Sequence, residues 1–265
     1  VEYNVQDVNL LVNLEDKLRY LELLRMLAYT GLTTFEGAMG TLQVITGAAV
    51  IKARSRNKII PTFVKDHTLA SRYEGAYVGD PERGFQDDII SFDANSLYPN
   101  TMISLNLSPE TKLGKIINTD NEHITIKLTN EEIIKTSHVK FAEFIKKHKV
   151  AISKAKVLFS QVEKGIMPEI VDRVYQERVQ IRKDLQKHKR QLLKLKKRTP
   201  EYKDLKRLID QLDIKQFTLK ILINTVYGYF GNKHAPMGDP YIARSITLTG
   251  QAVIKQSNKI LTEYV

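Results

Sequence analysis

The stretch that says most about this chain reads Ser91-Phe-Asp-Ala-Asn-Ser-Leu-Tyr-Pro-Asn100, in which a carboxylate follows an apolar run. Ile89, Ile90 and Phe92 predict a short buried strand. Pro99 suits the first turn of a helix, because the N–H group that proline lacks has no helical acceptor there. Asp93 is therefore expected at the carboxyl end of a strand, just before a helix.

The backbone that follows Asp93 has the features of an anion site. The N–H groups from about Asn95 to Leu97 would point outward at the positive end of the helix, where a backbone binds phosphate oxygens. A hard cation beside them would need oxygen ligands such as Asp93. The stretch favours a metal and triphosphate site, and the alternative is an ordinary strand-to-helix turn in which Asp93 is a cap.

Length and composition narrow the class of protein. The 265 residues could form one large domain or two, and 42% hydrophobic residues suffice for a core. The 41 Lys and Arg against 30 Asp and Glu give a net charge of +11, which favours a polyanionic partner without separating DNA from RNA or anionic lipid. The chain has no cysteine, which excludes disulfides and thiolate metal sites.

The sequence predicts a soluble, intracellular protein without a membrane segment. It has no apolar run of the roughly 18 residues that a spanning helix needs. Its first residues resemble neither a signal peptide nor a transit peptide. A start at valine rather than methionine suggests a fragment or a processed product.

The chain around this stretch alternates between helical and mixed patterns. Apolar spacing predicts one helix over residues 6–29, ended by Gly31. Residues 31–88 favour loops and small strands, with a strand near 73–78. Residues 116–128 alternate like a strand or hairpin, and residues 131–150 indicate a polar helix and turn.

The most regular pattern lies in the second half of the chain. Apolar residues recur three and four apart from Val171 to Leu195 and again from Leu205, and Pro200 lies between the two runs. This pattern predicts two antiparallel helices in a hairpin. Thirteen Lys or Arg and only three acids between residues 178 and 207 require the arms to project into solvent or along a polyanion.

Polar residues share one face on each arm of the predicted hairpin: Arg178 and Arg182 on the first, and Lys220, Asn224 and Tyr227 on the second. In an antiparallel pair these cations would meet and bind phosphate. Gly228 would leave an open surface for a flat base pair. The alternative is a solvated basic hairpin with a glycine cap.

Two segments together resemble one family. The segment Asp93-Ala-Asn-Ser-Leu-Tyr-Pro99 resembles motif A of the family B DNA polymerases, D-x-x-S-L-Y-P. Residues 220–228, Lys-Ile-Leu-Ile-Asn-Thr-Val-Tyr-Gly, resemble motif B, K-x-x-x-N-S-x-Y-G, with threonine at the usual serine. Tyr3 and Asp7 are similar to the Y-x-x-x-D of the third exonuclease motif, and residues 106–111 look most like the bacteriophage T4-type polymerases.

The resemblance implies an α+β fold, a partial polymerase palm with an inserted antiparallel helical-hairpin fingers domain. Residues 1–20 would end a 3′–5′ exonuclease domain, and residues 21–64 would connect it to the palm. The palm would comprise residues 65–164 and 232–265, and the fingers residues 165–231. A phage-encoded enzyme in the host cytoplasm is the expected setting.

The resemblance also implies an activity, namely template-directed addition of dNTPs to a primer 3′-hydroxyl by two Mg²⁺ ions, with primer–template DNA as the partner. It assigns the following roles: Asp93 to both Mg²⁺ ions, the Ser96 and Leu97 amides to the triphosphate, Tyr98 to exclusion of a 2′-hydroxyl, Arg178, Arg182 and Lys220 to the β- and γ-phosphates, and Asn224, Tyr227 and Gly228 to the nascent base pair. Lys220 would also protonate the leaving pyrophosphate. Asp7, with Tyr3, would belong to an incomplete exonuclease metal site.

The family pattern is not complete in this sequence. The third polymerase motif, D-T-D, which supplies the second metal-binding carboxylate, does not occur. Asp239 is the nearest substitute, but the flanking Gly238 and Pro240 predict a loop. We therefore expect the chain alone to be inactive and to need a complementary chain with the D-T-D motif and the thumb. The alternatives are a protein-primed family B polymerase and a non-catalytic nucleic-acid-binding protein. The six histidines have no metal-ligand spacing.

Overall fold

The computed structural model describes residues 2–61, 74–80, 83–85, 87, 89–197 and 199–264. The chain forms two compact units. The first comprises Val1–Ile59 and Arg173–Val226, and the second comprises Ile60–Asp172 and Tyr227–Val265.

The first unit begins with four helices, α1 Glu2–Leu18, α2 Tyr20–Gly31, α3 Phe35–Ala38 and α4 Thr41–Ser55. The single helix predicted over residues 6–29 is wrong, because Arg19 adopts a left-handed conformation, with φ 52° and ψ 42°, between α1 and α2. Thr34 caps α3, its hydroxyl accepting a hydrogen bond from the N–H of Gly37 at 3.0 Å.

Helices α3 and α4 also replace the loops and small strands predicted after Gly31. The glycines there permit close helix packing. A Cβ atom at Gly31 would lie 2.6 Å from Cγ1 of Val44, so only glycine allows α2 and α4 to approach this closely. Val44, Ile45 and Ala49 are buried at this contact.

The predicted helical hairpin is confirmed. Helices α7 Ile166–Leu192 and α8 Pro200–Gly231 form its arms, and Pro200 is the first residue of α8. An ion pair of 2.7 Å joins Glu177 on α7 to Lys215 on α8. Glu177 lies fifteen residues before the end of α7, and Lys215 lies fifteen residues after the start of α8. These equal distances from the turn are what an antiparallel pair requires. The apolar residues buried along these arms include Val174, Ile181, Leu185, Ile209, Leu219 and Leu222.

The second unit contains a five-stranded antiparallel sheet in the order β3-β2-β1-β5-β4. The strands are β1 Lys112–Thr119, β2 His123–Leu128, β3 Ile133–Ser137, β4 Val150–Ile152 and β5 Val157–Ser160. Helix α6 His138–His148 contributes Phe141 to the core that Ile116, Ile124, Ile126, Val150 and Leu158 form. The hairpin predicted over 116–128 is confirmed, but the prediction for residues 131–150 missed β3.

Helices α5 Leu97–Leu105 and α9 Pro240–Tyr264 pack against each other in this unit. The strand predicted before α5 is wrong: the backbone there is irregular, and Ile89, Ile90 and Phe92 are 74%, 61% and 62% exposed. Residues 74–78 are not a strand either, and Tyr73 lies outside the described residues. Within the described residues no helix is long and apolar enough to cross a bilayer.

Candidate functional site

Helix α5 begins at Leu97, four residues after Asp93. Ser96 precedes α5 with φ 52° and ψ 44°, and its side chain makes no capping hydrogen bond. Asn100 holds the turn, because its Nδ2 donates to the carbonyl oxygen of Asn95 at 3.1 Å and its N–H donates to that of Ser96 at 3.0 Å. The N–H of Leu97 lies where a helix supplies no acceptor and where the helix dipole is positive.

Asp93 lies three residues before Ser96 on irregular backbone, and it is exposed. An exposed carboxylate beside a positive helix terminus suits a hard cation that also binds an anion. Among the residues that the structure describes, no three His, Asp or Glu side chains cluster as a metal site.

The ring of Tyr98 lies between two other parts of the chain. It packs against the ring of Tyr227, with centroids 4.8 Å apart and ring planes inclined by 48°. A Cβ atom at Gly250, on α9, would lie 2.9 Å from Cε1 of Tyr98. The absence of a side chain at Gly250 thus leaves room for the Tyr98 ring. This role of Gly250 is not visible in the sequence, because a glycine can occur in a helix for many different reasons.

Gly228 follows Tyr227 and is exposed on α8. A Cβ atom built there would meet no described atom within 4 Å. The two tilted rings of Tyr98 and Tyr227, with the open space at Gly228, form an aromatic surface that we call the tyrosine platform. Such a surface suits stacking or van der Waals contact with a planar group.

The first arm of the hairpin carries the predicted pair of cations. Arg178 is half-buried, and its Nε atom is buried without a hydrogen-bond partner among the described residues. Burial lowers the pKa of Arg178, and the like charge of Arg182 one turn later lowers it further. Buried hydrogen-bond donors normally have an acceptor, and the Nε–H group of Arg178 lacks one. An anion bound here would supply that acceptor and would also offset the two neighbouring positive charges.

On the second arm, Lys220 and Asn224 are exposed one turn apart. The Glu177–Lys215 ion pair sets the register, so that Arg178 lies opposite Ile214. Lys220 is six residues further along α8, or about 9 Å at 1.5 Å per residue. In the same register Arg182 lies ten residues from Lys220, or about 15 Å. Arg178 and Lys220 are thus the better placed to hold one extended polyphosphate.

Asp239 lies in the loop that the sequence predicts, between α8 and α9, and it has a structural role there. Its Oδ1 accepts the N–H of Tyr241 at 2.9 Å and so caps α9, and its Oδ2 pairs with Lys112 on β1. Asp239 is also buried. A carboxylate committed in this way does not substitute for a metal ligand.

Tyr3 and Asp7 lie one turn apart on α1, and both are exposed. Their spacing places them on one face of the helix. Their exonuclease role stays a prediction.

Comparisons with known proteins identify the family of the chain. The sequence pattern of DNA polymerase family B matches residues 39–264. The DNA polymerase delta catalytic subunit of Candida albicans is 29% identical over 80% of the chain and 17% of its own length. The subunit of the same name from Arabidopsis thaliana is 26% identical over 98% of the chain and 21% of its own length. DNA polymerase 1 of Pyrococcus abyssi is 28% identical over 77% of the chain and 21% of its own length.

A solved structure is similar in fold. The family B DNA polymerase of Pyrobaculum calidifontis superimposes with a TM-score of 0.61 at 21% identity, over 95% of this chain and 28% of that one. The chain spans about a fifth of the length of the relatives named above. Because the family pattern covers most of the 265 residues, the chain belongs to DNA polymerase family B.

Proposed function

We propose that this chain is the nucleotide-binding part of a DNA-directed DNA polymerase, which adds dNTPs to the 3′-hydroxyl of a primer paired with a template. The contact between Tyr98 and Tyr227 carries the proposal. These residues belong to two motifs that lie far apart in sequence. Each motif by itself can be explained without a nucleotide site, the first as an ordinary turn before a helix and the second as part of a solvated basic hairpin. Packing of one motif's tyrosine on the other's favours a single site.

Asp93 is proposed to hold the two Mg²⁺ ions, since an exposed carboxylate next to helix N–H groups fits a cation that carries a triphosphate. When bound, the ions stabilise the attacking and leaving oxygens. The N–H groups of Ser96 and Leu97 would bind the triphosphate and orient its α-phosphate for in-line attack. The second carboxylate would come from a complementary chain or segment that carries a D-T-D motif.

The hairpin cations are proposed to hold the β- and γ-phosphates. Arg178 supports this most directly, because its buried Nε atom lacks an acceptor that a phosphate oxygen would supply. Lys220 would protonate the leaving pyrophosphate, and Arg182 would add charge from the next turn of α7. Closure of the hairpin over the nucleotide would bring these cations to the phosphates.

The tyrosine platform is proposed to receive the sugar and base. Tyr98 would exclude a 2′-hydroxyl, since its ring packs against Tyr227 and lies close to Gly250, which limits its movement. Tyr227 and Gly228 would line the nascent base pair, and Asn224 would contribute an amide beside them.

The remaining assignments follow the family resemblance. Residues 1–20 would end the exonuclease domain, with Tyr3 and Asp7 at its metal site, and residues 21–64 would be a connecting segment. Residues 65–164 and 232–265 would be palm, and residues 165–231 fingers. Residues 106–111 favour a T4-like phage enzyme in a host cytoplasm, and primer–template DNA would be its partner.

Equilibrium binding of a fluorescent dNTP, with Mg²⁺ present, tests the proposal. We expect Arg178→Ala and Asp93→Asn to weaken dNTP binding, and Lys194→Ala on the outer part of α7's arm to leave it unchanged. The second candidate, a basic DNA-binding hairpin, predicts that Arg178→Ala and Lys194→Ala weaken DNA binding equally, with equal loss of salt dependence. That result, without a dNTP effect, would favour the second candidate.

Primer extension tests whether the chain acts by itself. With labelled primer–template DNA, dNTPs and Mg²⁺, we expect no extension by the chain alone, because Asp93 is the one proposed polymerase carboxylate in it. Robust extension would show that no complementary chain is needed.

A further inference from the structure

A cleft of about 360 Å³ lies in the second unit, lined by residues of β1, β2 and the first turn of α9. Three lysines, Lys112, Lys115 and Lys127, and the ring of Tyr241 line it, and we call these four residues the lysine cleft. Its volume lies in the range of small-molecule sites, roughly 300–1,000 Å³. None of these residues has a part in the proposed dNTP site.

The charges in the lysine cleft do not balance. Lys112 pairs with Asp239, and Lys127 pairs with Glu131. Lys115 has no carboxylate partner among the residues described in the structure. Three ammonium groups thus meet two carboxylates, which leaves one positive charge for an anion.

The two ion pairs differ in how easily they can open. The Lys112 and Asp239 side chains are 23% and 11% exposed, and Asp239 also caps α9, so this pair is part of the fold. The Lys127 and Glu131 side chains are 42% and 75% exposed. An exposed pair contributes little stability, and Lys127 can exchange Glu131 for another anion. Lys115 and Lys127 are therefore the cations available to a ligand.

Tyr241 adds a surface for a planar group. Its ring is held at the first turn of α9, where its N–H bonds to Asp239, yet the residue is 45% exposed. The Nζ atoms of Lys115 and Lys112 lie 4.7 and 5.7 Å from the ring centroid. Such a combination of lysines and an exposed aromatic ring is the one that proteins use to bind a nucleotide by its phosphate and its base.

We propose that the lysine cleft binds one nucleotide unit, with its phosphate on Lys115 and Lys127 and its base stacked on Tyr241. The unit could be a free mononucleotide or part of a single strand, since both present the same chemistry. The proposal stands on the cleft alone and holds whether or not the chain takes part in DNA synthesis.

Lysine footprinting by mass spectrometry tests the site within the folded chain. The chain is acetylated at low reagent concentration with inorganic phosphate, thymidine monophosphate or a dT oligonucleotide, and the modification of each lysine is measured. We expect the oligonucleotide to protect Lys115 and Lys127, while Lys146 and Lys147, exposed on α6 of the same unit, remain reactive. Protection by thymidine monophosphate as well would identify a mononucleotide site, and its absence a strand site.

Variants separate the base from the phosphate. Tyr241→Ala should weaken protection of Lys115 about tenfold, as expected for the loss of one stacked base, and Tyr241→Phe should retain it. Lys115→Ala combined with Lys127→Ala removes the contact to one phosphate and should reduce the slope of log K against log salt for the oligonucleotide by about 0.7. Equal protection of all lysines, or protection by inorganic phosphate that Tyr241→Ala does not change, would overturn the proposal.

Discussion

Replacement of Gly250 by alanine tests how Tyr98 is held. The new Cβ atom would lie 2.9 Å from Cε1 and 3.4 Å from Cδ1 of Tyr98, and 3.5 Å from Cδ2 of Leu97. Carbon atoms in contact normally lie about 3.5–4.0 Å apart, so the ring must move by at least about 0.6 Å. The ring of Tyr227, whose centroid lies 4.8 Å from that of Tyr98, limits the space into which the Tyr98 ring can move.

Two opposing terms set the expected free energy. Overpacking of this kind costs about 1–3 kcal/mol, whereas alanine in place of glycine inside a helix such as α9 gains about 1 kcal/mol. Gly250→Ala should therefore destabilise the chain by about 0–2 kcal/mol. In a Tyr98→Ala background the clash is gone, and the same substitution should stabilise by about 1 kcal/mol.

A double-mutant cycle measures this change of sign. The free energy of unfolding in urea is determined for the parent, both single variants and the double variant, and we expect a coupling of about 1–3 kcal/mol. Val253→Ala, at an exposed position on α9, is the matched control and should show no coupling to Tyr98→Ala. Equal stabilisation by Gly250→Ala in both backgrounds would mean that the glycine leaves no room that Tyr98 uses.

Three further substitutions have clear expected outcomes. Arg178→Met should raise the free energy of unfolding and weaken dNTP binding, because it removes a desolvated charge. Burial lowers the pKa of Arg178, but the group stays protonated between pH 5 and 9. Urea unfolding should therefore show the same gain in the free energy of unfolding across that range. Asn106→Ala should lower the free energy of unfolding by about 2–4 kcal/mol in the same assay, since the buried amide donates to two carbonyl groups and accepts the N–H of Gly165. The N–H groups of His123 and Glu122 lower the pKa of Asp120, so its contribution is present above the unfolded pKa of about 3.9 and is lost as pH falls through the folded pKa. Asp120→Ala should therefore lower the thermal midpoint at pH 7, and the effect should shrink as the pH falls below about 3.9.

The elements that the sequence predicted correctly are those with a strong local pattern. The hairpin repeats apolar residues at helical spacing over both arms, and Pro200 marks the start of α8. The alternation over residues 116–128 marks β1 and β2. In each case neighbouring residues carry the pattern, so that no knowledge of distant contacts is needed.

The wrong predictions concern residues whose role depends on distant contacts. Gly31 ends α2 as predicted, but α3 and α4 follow it in place of the predicted loops, and its missing side chain lets α4 approach α2. Ile89, Ile90 and Phe92 are apolar, yet the described structure leaves them exposed and irregular. An apolar run indicates a preference for burial, but it does not indicate which other part of the protein will cover it.

The candidate site divides in the same way. The motif residues Tyr98 and Tyr227 could be picked out from sequence, and the structure brings their rings together. Gly250 and the capping role of Asp239 could not, because each depends on a contact between segments far apart in the chain. The unsatisfied Nε of Arg178 is likewise a consequence of burial in the folded chain, which the sequence alone does not show.

The residue proposed to select the sugar is packed against other side chains, whereas the residue proposed to hold the metal is exposed. Tyr98 packs against Tyr227 and close to Gly250, and a packed side chain of this kind is what discrimination between sugars requires. Asp93 is exposed on irregular backbone, so its carboxylate contributes little to the fold. Asp93→Asn should therefore unfold at the same urea concentration as the parent, and a loss of Mg²⁺-dependent dNTP binding in that variant would be due to the missing charge. Substitutions at the tyrosine platform change packing and binding together, which is why they need the double-mutant cycle.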